Sequence, residues 1–297
     1  MGLWGFIGKI HDASNSLIKN RLPLLSLYYY VKPRSWLYWR SQPIHQLVNE
    51  GSPSVSDHQS FIFFTVHKSA SMLMENFLND VSKDMNMPQI DINGYFATQG
   101  DEGIEKQKEK KLLQKIFKLK GYVYGPLRFY LPVPELEKYP VVLLLRDPRD
   151  VLTSQYYSIR ATHPLITKKL IERRKIALKS TVDEHVKSQA KRFVQTYNEY
   201  IQNVLGKPNV LFLKYEDMVN DFGTFIEKIN DHCKLNLTAE QIAKLDRTKT
   251  FETKGEDRTQ HKRKVKPGDH KEKLQAATIE WLNKEFSGIL EKLNYEK

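Results

Sequence analysis

The sequence predicts an α/β fold of three layers, a central parallel β-sheet flanked on both faces by helices. Two observations carry this. Three short apolar runs, Ser60–Val66 (SFIFFTV), Val141–Leu145 (VVLLL) and Asn209–Tyr215 (NVLFLKY), have the length and continuity of strands buried on both faces. Each is followed by apolar residues at helical spacing, and strands alternating with helices build parallel sheets.

The elements follow in chain order. Residues 1 to about 55 are rich in aromatic and basic side chains, among them Trp4, Tyr28, Trp36, Trp39, Lys19, Arg21 and Arg40. This segment is expected to pack on a main domain of residues 56–297, and residues 1–45 also suit peripheral contact with a membrane surface. Gly51–His58 reads as a turn or linker. After the first strand, Ala70–Leu78 has helical spacing, and the lysine-rich Asp101–Lys120 reads as a solvated helix. Val151–Tyr157 starts a helix behind the second strand, with Pro148 in its first turn and Asp147 as cap. Thr181 and Glu184 form a capping box for a helix to about Val204. Thr238 and Gln241 cap one to Leu245, and Ala276–Leu293 closes the chain as an amphipathic helix. No internal repeat is present.

At 297 residues the chain is one large domain or two small ones. Its net charge of +12 suits a protein that handles polyanions: nucleic acid, anionic lipid, or a ligand with several phosphates. The single cysteine, Cys233, excludes an internal disulfide and a cysteine-rich zinc site, which suits a reducing compartment. The longest apolar run, Leu22–Val31, falls short of the ~20 residues that cross a bilayer. The start carries no signal-peptide cleavage pattern, and Phe6 replaces the Ser or Thr of a myristoylation site. A cytoplasmic protein is expected, with peripheral membrane contact as an addition.

Three segments carry chemistry. In Thr65-Val66-His67-Lys68-Ser69-Ala70-Ser71-Met72, a buried strand leads through small residues into a helix, which aims backbone N–H groups and the positive helix end at one point. Lys68 adds a cation, and Ser69 and Ser71 add hydroxyls. The segment lacks the Gly-x-x-x-x-Gly-Lys-[Ser/Thr] pattern of nucleotide kinases, and alone it is also what an ordinary strand-to-helix turn looks like. In Arg146-Asp147-Pro148-Arg149-Asp150-Val151-Leu152-Thr153-Ser154, Arg146 at a strand tip can offer a fork to a phosphate, and Ser154 follows two turns later. Asp147, Arg149 and Asp150 are accounted for by pairing that fixes the turn. In His261–His270, five cationic or potentially cationic residues precede a Pro-Gly turn, so an exposed loop is expected.

Taken in order, these segments resemble the PAPS-dependent sulfotransferases (PAPS, 3′-phosphoadenosine-5′-phosphosulfate), whose fold is related to that of the P-loop nucleotide hydrolases. Their pattern has a Lys-Ser-Gly-Thr-Thr loop for the 5′-phosphosulfate and an Arg-[Asn/Asp]-Pro-[Lys/Arg]-Asp-Val-x-x-Ser segment for the 3′-phosphate. It ends with an Arg-Lys-Gly-x-x-Gly-Asp loop. Lys214-Tyr215-Glu216-Asp217-Met218 is similar to a further family segment, and the likeness runs from about residue 60 to 275. The resemblance implies sulfuryl transfer from PAPS to a hydroxyl or amine acceptor by in-line displacement, releasing adenosine 3′,5′-bisphosphate. It implies that Lys68 bridges the 5′-phosphate and the transferring group, with Ser69, Ala70, Ser71 and Met72 supplying the loop. It further implies that Arg146 and Ser154 bind the 3′-phosphate with Arg263, Lys264 and the backbone near Val265, and that Phe251 faces adenine. No metal is implied. The acceptor is a small molecule, lipid or glycan with a free hydroxyl, and no nucleic-acid partner is expected.

The departures concern the loop and the acceptor side. Ala70 replaces the family glycine, Met72 the second threonine, Leu73 an adenine-stacking tryptophan, and Val265 a glycine; Gly-Asp-Trp becomes Gly268-Asp269-His270. Only 11 residues separate Phe251 from Arg263, little room for a substrate-capping loop. No histidine stands in Gly121–Arg128, where cytosolic members carry their general base. Carbohydrate-directed members use a glutamate beyond the first helix. His67 and Asp91 are the first candidates for the base here, ahead of Tyr124 and Asp84. Two other classes compete. One is a basic protein that binds nucleic acid or anionic membrane without catalysis. The other is a kinase-like phosphotransferase, for which no acidic metal-binding strand end is evident.

Overall fold

In the computed structural model, residues 41–49, 51, 56–98, 109–162, 168–245 and 266–296 are described. Helix α1 spans residues 41–49. Strand β1 (Phe61–Thr65) leads into α2 (Ser71–Asp84), and β2 (Gln89–Ile90) into α3 (Ile92–Thr98). Next come α4 (Lys110–Ile116), β3 (Val123–Leu127), β4 (Val141–Leu145) and α5 (Pro148–Tyr157), the last ending in a π-helical turn, Ser158–Thr162. Helices α6 (Lys168–Lys179) and α7 (Val182–Asn203) precede β5 (Val210–Lys214). The chain closes through α8 (Tyr215–Asn220), α9 (Phe222–Cys233), α10 (Ala239–Leu245), α11 (Asp269–Lys273), α12 (Ala276–Glu285) and α13 (Ser287–Lys292).

The chain forms two compact units. The smaller is drawn from the chain up to Pro53 and from Ile90–Phe117, the larger from Ser54–Gln89 and Lys118–Lys297. The sequence division at residue 55 thus differs from the spatial one, since Ile90–Phe117 groups with the N-terminal part. In the smaller unit Ile44 and Leu47 of α1 are buried, and the rings of His45 and Tyr95 meet edge to face at 4.9 Å.

The sheet order is β2-β3-β1-β4-β5, with β1 parallel to β3 and β4, and β4 parallel to β5. Every residue of β1, β3 and β4 is buried, as central strands of a doubly covered sheet require. Phe61 and Phe63 of β1 join Val142 and Leu144 of β4 on one face, against Met74, Phe77 and Val81 of α2 and Phe225, Ile226 and Ile229 of α9. On the other face Phe64 meets Tyr200 of α7 at 5.7 Å. Helices α5, α12 and α13 pack on α7, which completes the outer layer. Gly125 holds β3 against β1: its φ is 129°, and a Cβ there would lie 2.5 Å from the Phe63 carbonyl oxygen.

Local chemistry sets the helix ends. Asp147 accepts from the Arg149 amide at 2.9 Å, with Pro148 at the first position of α5. Thr181 Oγ1 accepts from the Glu184 amide at 3.2 Å, and the Glu184 carboxylate accepts from the Thr181 amide at 2.7 Å. Gln241 and Thr238 bond reciprocally at the start of α10. Two expectations are corrected. Ala276–Leu293 is two helices, because the chain turns at buried Phe286 ahead of the poor helix formers Ser287 and Gly288. Within Asp101–Lys120, α4 covers only Lys110–Ile116 and buries Leu113 and Ile116, so its apolar face is not solvated; residues 101–108 lie outside the described residues.

Candidate functional site

From β1 the chain builds toward β3 on one side and from β4 toward β5 on the other. The order therefore reverses between β1 and β4, and the carboxyl ends of two such strands flank a crevice. Lys68 follows β1 and Arg146 follows β4, so the first two sequence segments meet at this switch point.

The loop after β1 is tight. Lys68 (φ 69°) and Ala70 (φ 54°) both adopt left-handed backbone, the conformation a glycine would take without cost. Helix α2 has no side-chain cap hydrogen bond, so no side chain of its cap engages its first amides. Ser69 is fully buried, and its Oγ has no hydrogen-bond partner. Lys68, Ala70, Ser71 and Leu73 are half-buried, whereas His67 and Met72 are exposed.

Arg146 ties this loop to the second segment. Its Nη1 donates to the Lys68 carbonyl at 2.9 Å, and Nη2 reaches Asp150 Oδ2 at 3.5 Å. The guanidinium lies over the Tyr215 ring, 4.3 Å from its centre, and Nε has no partner. Ser154 stands half-buried on α5. Tyr197 donates to the Arg146 carbonyl at 2.5 Å and Tyr200 to the Thr65 carbonyl at 2.7 Å, so α7 braces both strand tips. Burial pushes both phenols well above their usual range.

Asp147 serves the turn. It grips Arg149, whose other donors reach Asn283 Oδ1 at 2.6 Å and the Glu296 carbonyl at 2.7 Å. Glu216 accepts from the Asp147 amide at 3.1 Å and from the Tyr295 hydroxyl at 2.7 Å, and burial raises its pKa against those bonds.

The third segment enters through its described end. Gly268 and His270 donate their amides to Asp150 at 2.7 and 2.9 Å. Arg263, Lys264 and Val265 lie outside the described residues, as does Phe251.

The base candidates fall in different settings. His67 is exposed beside Lys68. Asp91 belongs to the smaller unit, where its carboxylate accepts from the Gly94 amide at 2.9 Å. Tyr124 is buried, accepts from the Lys118 amide at 2.6 Å, and burial pushes its pKa well above 10. Asp84 is exposed at the end of α2, 4.0 Å from Lys244. Among the described residues no group of three or more His, Cys, Asp or Glu is placed to hold a metal ion.

The sequence gives no role to Tyr215 or to the pair Glu75–Arg128, which meets at 3.1 Å, and accounts for Asp150 only by the pairing that fixes the turn. Glu75 sits in the first turns of α2 and Arg128 follows β3, a contact across 53 residues that no local pattern announces. For Tyr215 a signal was present, since the Lys-Tyr-Glu-Asp-Met segment starts at a strand end.

Residues 130–293 match the family described as Sulfotransferase domain. No curated protein sequence matches the chain. Among solved structures, mouse sulfotransferase SULT7A1 complexed with PAP is similar with a TM-score of 0.53 at 16% identity, over 83% of this chain and 88% of that one. Retinol dehydratase in a complex with androsterone and the inactive cofactor PAP gives 0.53 at 17%, over 84% and 85%. Retinol dehydratase in a complex with retinol and PAP gives 0.52 at 16%, over 84% and 86%. These likenesses concern the fold, a parallel sheet flanked by helices. The matched family spans more than half of the chain and takes in the Arg146–Ser154 segment at the switch point, and the chain accordingly belongs to the sulfotransferases, enzymes that move a sulfuryl group from PAPS to an acceptor hydroxyl and release PAP.

Proposed function

We propose that the crevice between β1 and β4 is the PAPS site. In this reading Lys68, Ser69, Ala70, Ser71 and Met72 surround the 5′-phosphosulfate, and Arg146 and Ser154 hold the 3′-phosphate. Arg263, Lys264 and the backbone at Val265 complete the 3′ side, and Phe251 faces adenine. One observation carries the reading: Arg146 donates to the Lys68 carbonyl at 2.9 Å, a contact between residues 78 apart that brings both anion-binding segments to one point. The residues present fit such a group. Ser69 Oγ and Arg146 Nε are buried donors with no partner, and α2 has no side-chain cap, whereas at the head of α5 Asp147 accepts from the Arg149 amide.

PAPS supplies an activated sulfuryl group when bound. The chain's part is positioning and charge stabilisation. Lys68 stabilises the negative charge that develops on the leaving oxygen. His67 takes the proton of the acceptor hydroxyl, and we place it ahead of Asp91, whose carboxylate caps α3. The acceptor is a small molecule, lipid or glycan with a free hydroxyl. The protein acts in the cytoplasm with peripheral membrane contact through residues 1–45. Apart from that segment, α6 exposes Ile171, Ile176 and Leu178 among Lys175 and Lys179, a composition that suits a membrane surface. Among the described residues no helix is long and apolar enough to cross a membrane.

Calorimetric titration with adenosine 3′,5′-bisphosphate, run beside ATP-Mg²⁺ and a DNA duplex, tests the reading. Saturable binding of the bisphosphate with a Kd on the order of micromolar is expected. Binding only to ATP-Mg²⁺, or only salt-sensitive binding to DNA, would sink it. A screen of PAPS turnover against phenols, sterols, glycans and glycolipids then identifies the acceptor class. His67→Gln is expected to lower kcat about 100-fold on the preferred acceptor. An unchanged kcat would remove His67 from the reaction.

A further inference from the structure

Asp150 is the point where the second and third segments join. Its Oδ2 accepts from the Gly268 amide at 2.7 Å and from Arg146 Nη2 at 3.5 Å. Its Oδ1 accepts from the His270 amide at 2.9 Å and from His270 Nδ1 at 2.6 Å. Both side chains are at least 98% buried. An ionised carboxylate accepts only, so Nδ1 carries the proton and the tautomer of His270 is set. The short contacts belong to His270 and the backbone, and the longest belongs to Arg146. The carboxylate's short hydrogen bonds are therefore made with the third segment, while Arg146 reaches it only at 3.5 Å and retains an Nε with no partner.

The family pattern reads tryptophan where this chain has His270. On an indole the atom corresponding to Nδ1 is a carbon, Cδ1, which carries no N–H. His270 thus gives this chain a donor to Asp150 that the family pattern lacks.

We propose that Asp150 and His270 are positioning residues for the 3′-phosphate of the nucleotide: together they lock the third segment, at Gly268–His270, onto the head of α5 and leave Nε of Arg146 available to the phosphate. The inference rests on the reading of the crevice given above. Its physical basis is competition for one cation. A buried carboxylate beside a phosphate site repels the ligand unless other donors neutralise it, and without the Nδ1 donor Asp150 draws on Arg146 instead. The same loss loosens the connection that holds Gly268 and His270 at Asp150. Neither Asp150 nor His270 needs to touch the nucleotide for this effect.

The test compares binding of two nucleotides by calorimetry, adenosine 3′,5′-bisphosphate and adenosine 5′-phosphosulfate, which lacks the 3′-phosphate. His270→Leu is expected to weaken the bisphosphate about tenfold, the worth of one hydrogen bond to a charged group. The 5′-phosphosulfate should change less than twofold. His270→Asn, whose amide nitrogen takes the place of Nδ1, should recover most of the loss, whereas His270→Gln, whose amide nitrogen lies near the position of Nε2, should not. Equal affinity of His270→Leu and wild type overturns the proposal, and so does an equal loss for both nucleotides. If His270→Leu does not fold, the Asn and Gln variants decide, and equal affinity in those two overturns it. Failure of the wild-type protein to bind the bisphosphate would instead remove the reading of the crevice itself, a separate outcome.

Discussion

The guanidinium of Arg146 lies over the ring of Tyr215, 4.3 Å from its centre, at the carboxyl end of two adjacent strands. The ring supplies a face to a cation that has lost nearly all its water, since only 3% of Arg146 is exposed. Burial works against the charged guanidinium, but Tyr215, Asp150, Glu216 and Asp269 outweigh it and its pKa is raised. Tyr215→Leu is expected to destabilise the fold by about 2 kcal/mol, read by urea denaturation. Arg146→Ala should weaken adenosine 3′,5′-bisphosphate binding by ~2–5 kcal/mol, because a desolvated phosphate charge loses its partner. A loss below about 0.5 kcal/mol would remove Arg146 from the phosphate site.

Ala70 holds a left-handed backbone (φ 54°) at the head of α2, a conformation that costs a residue with a Cβ roughly 1–2 kcal/mol. Glycine pays back part of that gain through the greater freedom of the unfolded chain. Ala70→Gly is therefore expected to stabilise the protein by about 0.5–1 kcal/mol in a denaturant titration. A loss of stability would show that the methyl group packs well enough to outweigh the backbone.

His185 makes stability depend on pH. Burial, with the positive charge of Arg173 adding to it, lowers its pKa from 6.5 to about 4. In the fold its Nε2 faces Gln155 Oε1 at 3.4 Å and its ring meets Tyr156 at 5.4 Å. Between pH 6.5 and about 4 the unfolded chain binds a proton that the folded chain refuses. Its contribution to stability is therefore complete above pH 6.5 and is lost as pH falls through that window. The loss from this group should reach about 2–3 kcal/mol near pH 4.5. His185→Gln should be flatter by that amount when denaturation is followed from pH 7 to 4.5, and parallel profiles would contradict the assignment.

Glu75 and Arg128 form an ion pair with side-chain exposures of only 7% and 23%. Removing one member of such a pair leaves its partner's charge poorly compensated. Glu75→Ala is expected to lose about 3 kcal/mol by thermal or urea denaturation. The double variant Glu75→Ala/Arg128→Met should lose less than Glu75→Ala alone, a coupling that a double-mutant cycle reads directly.

Local patterns were the legible part of this chain. The three apolar runs became β1, β4 and β5, and the capping box at Thr181 and Glu184 marked the start of α7 to the residue. Pro148 and Asp147 placed the start of α5. Strand β3 was not foreseen, because Gly125 and Pro126 interrupt it and both residues discourage a strand assignment. The break at Phe286 was hidden by helical spacing that continues through it.

What the sequence determined by itself was the family and the segments that mark it, since each depends on neighbours within a few residues: a strand end, a cationic residue and the start of a helix. Tertiary structure alone decided how those segments are wired together. That Arg146 holds the Lys68 carbonyl, rests on Tyr215 and shares Asp150 with His270 depends on strand order and register, which bring residues 78 and 120 positions apart into hydrogen-bond reach. Spacing along the chain encodes periodicity and caps. It does not encode which strand lies beside which, and at this site that adjacency sets where the charges fall.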